Sequence, residues 1–345
     1  MNQLVIAMTE AARTYVPTVG RRSIVDAINA DYSAVAALVI TDKEEALADD
    51  DMVRAYGIPV ICLATGKEPI DDGLLKKVRH VIDGNSGDQI LFAHRIEAAA
   101  ARYEATMLPP FFRALAQYVK AGHSQFDCPG HQGGAFFRQH PAGRALYDFY
   151  GETVFRSDLC NADVALGDLL IHEGPAYDAQ RHAAEVFNAD KTYFVLNGTS
   201  AANKVVLNAL LAPGDIVLYD RNNHKSVSHG ALVQAGAMPV YLETARNPFG
   251  SIGGIMERCF EEAYIRELIA KRDPEKAKAK RPVRLAVIQL GTYDGVVYNA
   301  RQVVDKIGHL CDYILFDSAW VGYEQFIPMM KDCSPLLLTL GPDDP

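Results

Sequence analysis

A chain of 345 residues, 49% apolar and 22% charged, has globular composition and is long enough for two or three domains. Its formal charge, 34 − 43 = −9, argues against a general nucleic-acid binder and favours solubility. No apolar run approaches membrane-spanning length, Met1–Glu10 lacks the basic region of a signal peptide, and Cys62, Cys128, Cys160, Cys259, Cys311 and Cys333 form no C-x-x-C pair. A cytoplasmic protein that binds neither membrane nor zinc is expected.

The first hundred or so residues alternate short apolar runs with helical patterns. Leu4–Met8, Ala34–Ile40, Val60–Leu63 and Val78–Ile82 read as strands, and the polar 42–56 segment as a helix. Such alternation predicts a small parallel sheet of flavodoxin-like type. No G-x-G-x-x-G or P-loop offers a nucleotide site. Asp49, Asp50 and Asp51 read as a solvated helix face in preference to a metal site. A helix is predicted over Asp88–Met107; Leu108, Pro109 and Pro110 end it and mark a domain boundary, giving domains 1–107 and 108–345. A second helix, Phe111–Ala121, leads to the glycine-rich Phe126–Gly134 (FDCPGHQGG), where backbone can approach something closely.

From Lys191 the alternation resumes with longer units. Thr192–Leu196, Ile216–Tyr219, Pro239–Leu242, Leu285–Gln289 and Tyr313–Phe316 are predicted strands. Helical patterns cover Ser200–Leu211, Ser226–Ala235, Met256–Lys271 and Ala300–Cys311. The result is a doubly wound α/β domain, whose ligands should sit beyond the carboxyl ends of its strands.

Four strand ends carry candidate chemistry. Gly198, Thr199 and Ser200 offer a tight turn, two hydroxyls and a helix start, which reads either as a phosphate cup or as an ordinary helix cap. His224, in DRNNHKS, could stack on a flat ring and assist proton transfer, or be a polar loop histidine. Lys225 beside it precedes the acid strand and reads as turned to solvent or phosphate. Thr292, Tyr293 and Asp294 could touch a ring hydroxyl; Asp294-Gly295 is equally a common turn pair, and the turn is favoured. Asp317 ends the apolar run Tyr313–Phe316, where a carboxylate could hold a protonated pyridine nitrogen. At about 4 Å and an effective dielectric near 20 that attraction is on the order of 4 kcal/mol. Alternatively it caps a turn with Ser318.

Together FDCPGHQGG, LNGTSAANK, DRNNHKS, ARNPFGSIGGI, GTYDGVVYN and FDSAWVGYEQF resemble the prokaryotic ornithine/lysine/arginine decarboxylase family, along nearly the whole chain. The wording DSAWVGYEQF and ETARNPFG is most similar to its ornithine-specific members. The resemblance implies α/β architecture: a flavodoxin-like wing followed by a pyridoxal-phosphate-dependent large domain of aminotransferase type (fold type I), here incomplete. It implies pyridoxal 5′-phosphate as cofactor and an amino acid as substrate. It places Gly198, Thr199 and Ser200 at the phosphate, His224 over the ring, Asp317 at the ring nitrogen, and Ala319 and Trp320 beside the cofactor, with Asp294 a further candidate contact. It also implies a homodimer, joined into larger rings through the wing. Some members are regulated by nucleotides near the wing, but no motif here locates such a site.

One departure accompanies the resemblance. Family members carry a Ser-x-His-Lys motif, whose lysine holds the cofactor as a Schiff base, after a segment like this one. Here Leu336–Pro345 ends the chain before it, and Lys331 does not match the motif. The expectation is therefore a front fragment of an ornithine decarboxylase, inactive alone, which would make putrescine in polyamine synthesis when whole. Lysine or arginine decarboxylase is the alternative within the family, and a non-catalytic assembly module the alternative from another class. A response-regulator-like wing is a weaker reading, because its strand ends do not clearly supply the acidic set a receiver needs.

Overall fold

The computed structural model describes residues 4–66, 69–126, 128–160, 165–168 and 170–340. Asp127 of the glycine-rich loop and 341–345 of the closing segment lie outside the described residues. The chain divides into two compact units, Met1–Ala179 and Gln180–Pro345.

In the first unit, β1 (Val5–Met8), β2 (Ile24–Asp26), β3 (Val35–Thr41), β4 (Val60–Ala64) and β5 (His80–Asp83) form a parallel sheet in the order β2-β1-β3-β4-β5. This is the flavodoxin-like order. Both faces are covered, so β3 is buried at all seven positions. Ala37 and Val39 face a cluster with Phe92 and Ile96, which come from helix α1 (Gln89–Met107); Leu38 and Ile40 face Val53 and Leu74. Asp88 caps α1 by accepting from the Leu91 N–H at 2.9 Å. Helix α2 (Pro110–Ala121) begins on proline, which suits a first helical turn.

Three details depart from the sequence reading. Strand β2 was not expected: three residues, none of them buried, make no apolar run. The last strand begins two residues later than Val78–Ile82 and ends one later. The 42–56 helix is two short pieces, Glu45–Ala48 and Asp51–Tyr56, because Asp50 accepts from the N–H groups of Met52 (2.8 Å) and Val53 (3.3 Å) and starts a new helix. Asp49 and Asp51 pair with Lys77 and Arg54. In the glycine-rich loop, the close approach is to aromatic rings: a Cβ on Gly134 would lie 2.6 Å from Tyr147, and its φ of +85° suits only glycine.

In the second unit, β6 (Ile216–Asp220) and β7 (Met238–Leu242) precede a short antiparallel pair, β8 (Thr244–Arg246) and β9 (Ile252–Ile255). Strands β10 (Val283–Gln289) and β11 (Cys311–Asp317) follow. The main sheet is parallel, ordered β11-β10-β6-β7. Alternate residues take opposite faces. Val217, Tyr219, Leu285 and Val287 pack with Leu207 of helix α3 (Gly198–Leu210), while Leu218, Ala286 and Ile288 pack with Ile265 and Ile269 of α4 (Glu262–Ala270) and Val303 and Ile307 of α5 (Ala300–Ile307).

Thr192–Leu196 is not a strand. Leu196 is 82% exposed and Tyr193 55%. Among the described residues this run pairs with no strand, and a segment without a ladder of hydrogen bonds is not a strand, whatever its side chains. The expected helices over Met256–Lys271 and Ala300–Cys311 are each split, at Glu261 and Gly308, into an α-helix and a tighter turn. The β8–β9 hairpin in ARNPFGSIGGI was not anticipated.

Candidate active site

Helix α3, β6, β10 and β11 all direct ends toward one cleft of 270 Å³, lined by Asn197, Gly198, Thr199, Ser200, His224, Gln289, Tyr293, Asp317, Ala319 and Trp320. Larger hollows exist, 710 Å³ at the amino ends of β4 and β5, 630 Å³ along the β7 edge and 440 Å³ beside Asn299 and Lys331, but none lies across the carboxyl ends of β6, β10 and β11. The smaller cleft does, where ligands of open α/β sheets bind.

The amino end of α3 forms one wall. Asn197 supplies no side-chain cap, so the first-turn N–H groups at Gly198, Thr199 and Ser200 keep their donors for a ligand, with the positive end of the helix dipole behind them. Gly198 has φ +74° and open space around it, so it serves turn geometry rather than close packing. His224 caps the short helix Lys225–Ser228: its Nδ1 accepts the Ser226 N–H at 3.2 Å. Asp317 ends β11, level with Gln289 across the ladder, and is 5% exposed. Its Oδ2 accepts from Asn203 at 2.8 Å and its Oδ1 from the Ala319 N–H at 3.1 Å. Trp320 and Tyr293 pack edge to face, with centroids 5.0 Å apart.

Two more polar side chains are buried at strand ends, Asp220 outside the cleft lining and Gln289 within it. Asp220, at the end of β6, accepts from the Asn222 N–H and from Asn223 Nδ2. Burial pushes its carboxyl above the usual carboxylate range against those bonds. Gln289 is 4% exposed, and its Oε1 has no partner among the described residues.

Of the residues singled out from sequence, Gly198, Thr199, Ser200, His224, Asp317, Ala319 and Trp320 meet in this cleft. Asp294 does not line it; it is exposed in a turn closed by the Gly295 N–H on the Thr292 carbonyl at 3.1 Å. Lys225 is exposed, Lys331 lines a different hollow beside Asn299, and no lysine lines the cleft among the described residues. Sequence reasoning missed Asn203, Ser226 and Gln289. The signal was there for Asn203: asparagine is a poor helix former, and its place inside a helix calls for a buried hydrogen-bonding duty.

A parallel sheet with a helix amino end, an imidazole and a strand-end carboxylate around one cleft has the layout of an α/β ligand-binding domain. The chain belongs to the ornithine/lysine/arginine decarboxylase family: the model for "Orn/Lys/Arg decarboxylase, major domain" matches residues 109–345. An ornithine decarboxylase of Haemophilus influenzae is 61% identical over 346 residues, covering 100% of this chain and 48% of that protein. An inducible ornithine decarboxylase of Escherichia coli is 64% identical over 313 residues, 90% of this chain and 43% of that one. Lysine and arginine decarboxylases match at 39–42%. The crystal structure of a Francisella novicida lysine decarboxylase superposes with a TM-score of 0.79 at 28% identity, covering 100% of this chain and 50% of that one. The likeness extends to the fold: a flavodoxin-like wing followed by the aminotransferase-type sheet. The chain spans about half the length of the relatives it matches.

The residues present suit pyridoxal phosphate, the cofactor usual in this family. Free N–H donors and hydroxyls suit a phosphate, an acceptor-rich carboxylate suits a protonated ring nitrogen, and the unpartnered Gln289 Oε1 calls for a donor from a ligand.

Proposed function

We propose that the protein of which this chain is part is a pyridoxal-phosphate-dependent ornithine decarboxylase, converting L-ornithine to putrescine and CO2. The observation that carries this is identity of 59–64% to proteins named ornithine decarboxylase, against 39–42% to those named lysine or arginine decarboxylase.

The proposed roles follow the cleft. Gly198 shapes the turn so that the N–H groups and hydroxyls of Thr199 and Ser200 hold the phosphate. His224 covers one face of the ring. Asp317 keeps the proton on the ring nitrogen. Ala319 and Trp320 pack beside the ring, and Trp320 with Tyr293 limits water at the mouth. Bound pyridoxal phosphate supplies the conjugated ring that takes up the electron pair left when the carboxylate departs as CO2. Asp294 enters as a turn residue.

Residues 1–107 are proposed as an assembly wing, in a homodimer that joins larger rings, with 108 onward as the catalytic domain. The family match beginning at 109 and the Pro109-Pro110 break support that boundary. Among the described residues no helix is long and apolar enough to cross a membrane. The proposed setting is the cytoplasm.

Two experiments test the reading. The full-length gene product should release putrescine from ornithine far faster than it decarboxylates lysine or arginine; a preference for either of the others overturns the substrate assignment. The present chain should bind pyridoxal phosphate reversibly, with no cofactor mass fixed by borohydride. Failure to bind at all would overturn the cofactor assignment.

A further inference from the structure

Asn203 sits in the second turn of α3, 3% exposed, and contributes nothing to the cleft lining. A buried carboxamide needs partners, and this one spends its two N–H groups in two directions. One donates to Asp317 Oδ2 at 2.8 Å, the other to Ser226 Oγ at 3.1 Å. Ser226 is also 3% exposed. Its hydroxyl oxygen accepts from Asn203, so its own proton is free for His224 Nδ1, 2.9 Å away. The donors therefore run one way: Asn203 to Ser226, Ser226 to His224. Nδ1 takes both the hydroxyl and the N–H of Ser226 as an acceptor. In the neutral ring the proton then belongs to Nε2, which bonds no described residue while His224 lines the cleft.

We propose that Asn203 is a positioning residue of this site: it holds the Asp317 carboxylate in one orientation and, by orienting the Ser226 hydroxyl, reinforces the Nε2–H tautomer of His224 that the Ser226 N–H sets. This rests on the cofactor reading above, because it is the ring nitrogen and ring face that these two groups would meet. One amide thereby couples the two side chains that face the ring from different directions. An aspartate at 203 would set two carboxylates against each other, and an apolar residue would leave Asp317 and Ser226 each short of a donor.

Two measurements on the purified chain test it. The first compares binding of pyridoxal phosphate with that of its 1-deaza analogue, which has C–H in place of the ring nitrogen but the same phosphate. Wild type should prefer the natural ring. Asn203→Ala should cut that preference about tenfold, toward the value for Asp317→Asn, with competition by inorganic phosphate unchanged. Ser226→Ala should keep the preference, since it leaves the Asn203–Asp317 bond intact. An undiminished preference in Asn203→Ala overturns the proposal. The second is 15N NMR of histidine-labelled chain without cofactor. Nδ1 of His224 should show the unprotonated, hydrogen-bonded shift, and in Ser226→Ala it should lose only the part owed to the hydroxyl, since the residue-226 N–H still donates. A protonated Nδ1 in wild type overturns the tautomer assignment, and this holds even if Asn203→Ala does not fold. If neither ring binds wild type, the cofactor reading falls and the His224 spectrum alone judges the network.

Discussion

Two parallel sheets of nearly the same design finish their strands in opposite ways. In the first unit the strand ends are closed by their own neighbours. Glu44 Oε2 accepts from the Thr9 hydroxyl at 2.7 Å and from the Thr41 N–H and hydroxyl at 2.9 Å. Asp42 accepts from the Thr65 hydroxyl and N–H and from the Gly66 N–H at 2.6–3.1 Å. In the second unit the corresponding ends leave donors on α3, His224 Nε2 and Gln289 Oε1 without protein partners among the described residues. Both sheets have helices packed on both faces, so the architecture alone does not decide where a ligand binds. What decides it is whether the polar groups at the strand ends are used up locally.

That contrast can be broken at several points. The largest effect is expected from Leu38→Ala. Leu38 is fully buried between sheet and helices, so its truncation should cost about 2–5 kcal/mol in urea unfolding of the first unit. Pyridoxal phosphate binding in the second unit should stay unchanged. Next comes Asp317→Ala, which removes a charge-assisted contact of about 1.5–3 kcal/mol and should weaken binding about 10- to 100-fold in an absorbance titration. Gly198→Ala should follow, at about 1–2 kcal/mol of backbone strain, because φ is +74° there and nothing else crowds the site. The loss should show in phosphate-dependent binding more than in melting temperature.

The smallest change, Asp42→Asn, should cost about 1 kcal/mol and act on pH dependence. Burial raises the Asp42 carboxyl, but hydrogen bonds from the Thr65 hydroxyl, the Gly66 N–H and the Thr65 N–H outweigh it and hold it below the usual carboxylate range. A depressed acid stabilises the fold above its unfolded-state value and loses that contribution as pH falls through its folded-state value. The melting-temperature gap between wild type and Asp42→Asn should therefore be full at pH 6 and shrink on acidification. A gap that widens in acid would refute the closed-end account.

Most of this was legible in the chain for a physical reason. Short continuous apolar runs such as Val35–Ile40 and Leu285–Ile288 suit strands buried on both faces, so they read clearly. β2 could not be read, because three half-exposed residues at a sheet edge carry no pattern. Thr192–Leu196 was over-read for the opposite reason: its side chains favour a strand, but strand pairing needs a partner that side-chain pattern does not encode. At the cleft, the residues that end strands or begin α3 could be named from their motifs. The network behind them could not, since Asn203, Ser226 and Asp317 are far apart in sequence and meet only when α3, the loop after β6 and β11 converge.

The pairing of Gln289 with Asp317 across β10 and β11 bears on how such a chain can diverge. Successive residues in a strand point to opposite faces, so inserting or deleting one residue within Cys311–Phe316 would turn the Asp317 carboxylate away from the cleft and bring a neighbour's side chain round in its place. Substitutions along β11 can accumulate as long as their volume fits. Changes of length cannot, and lineages that keep the chemistry should vary this strand in composition while keeping its residue count.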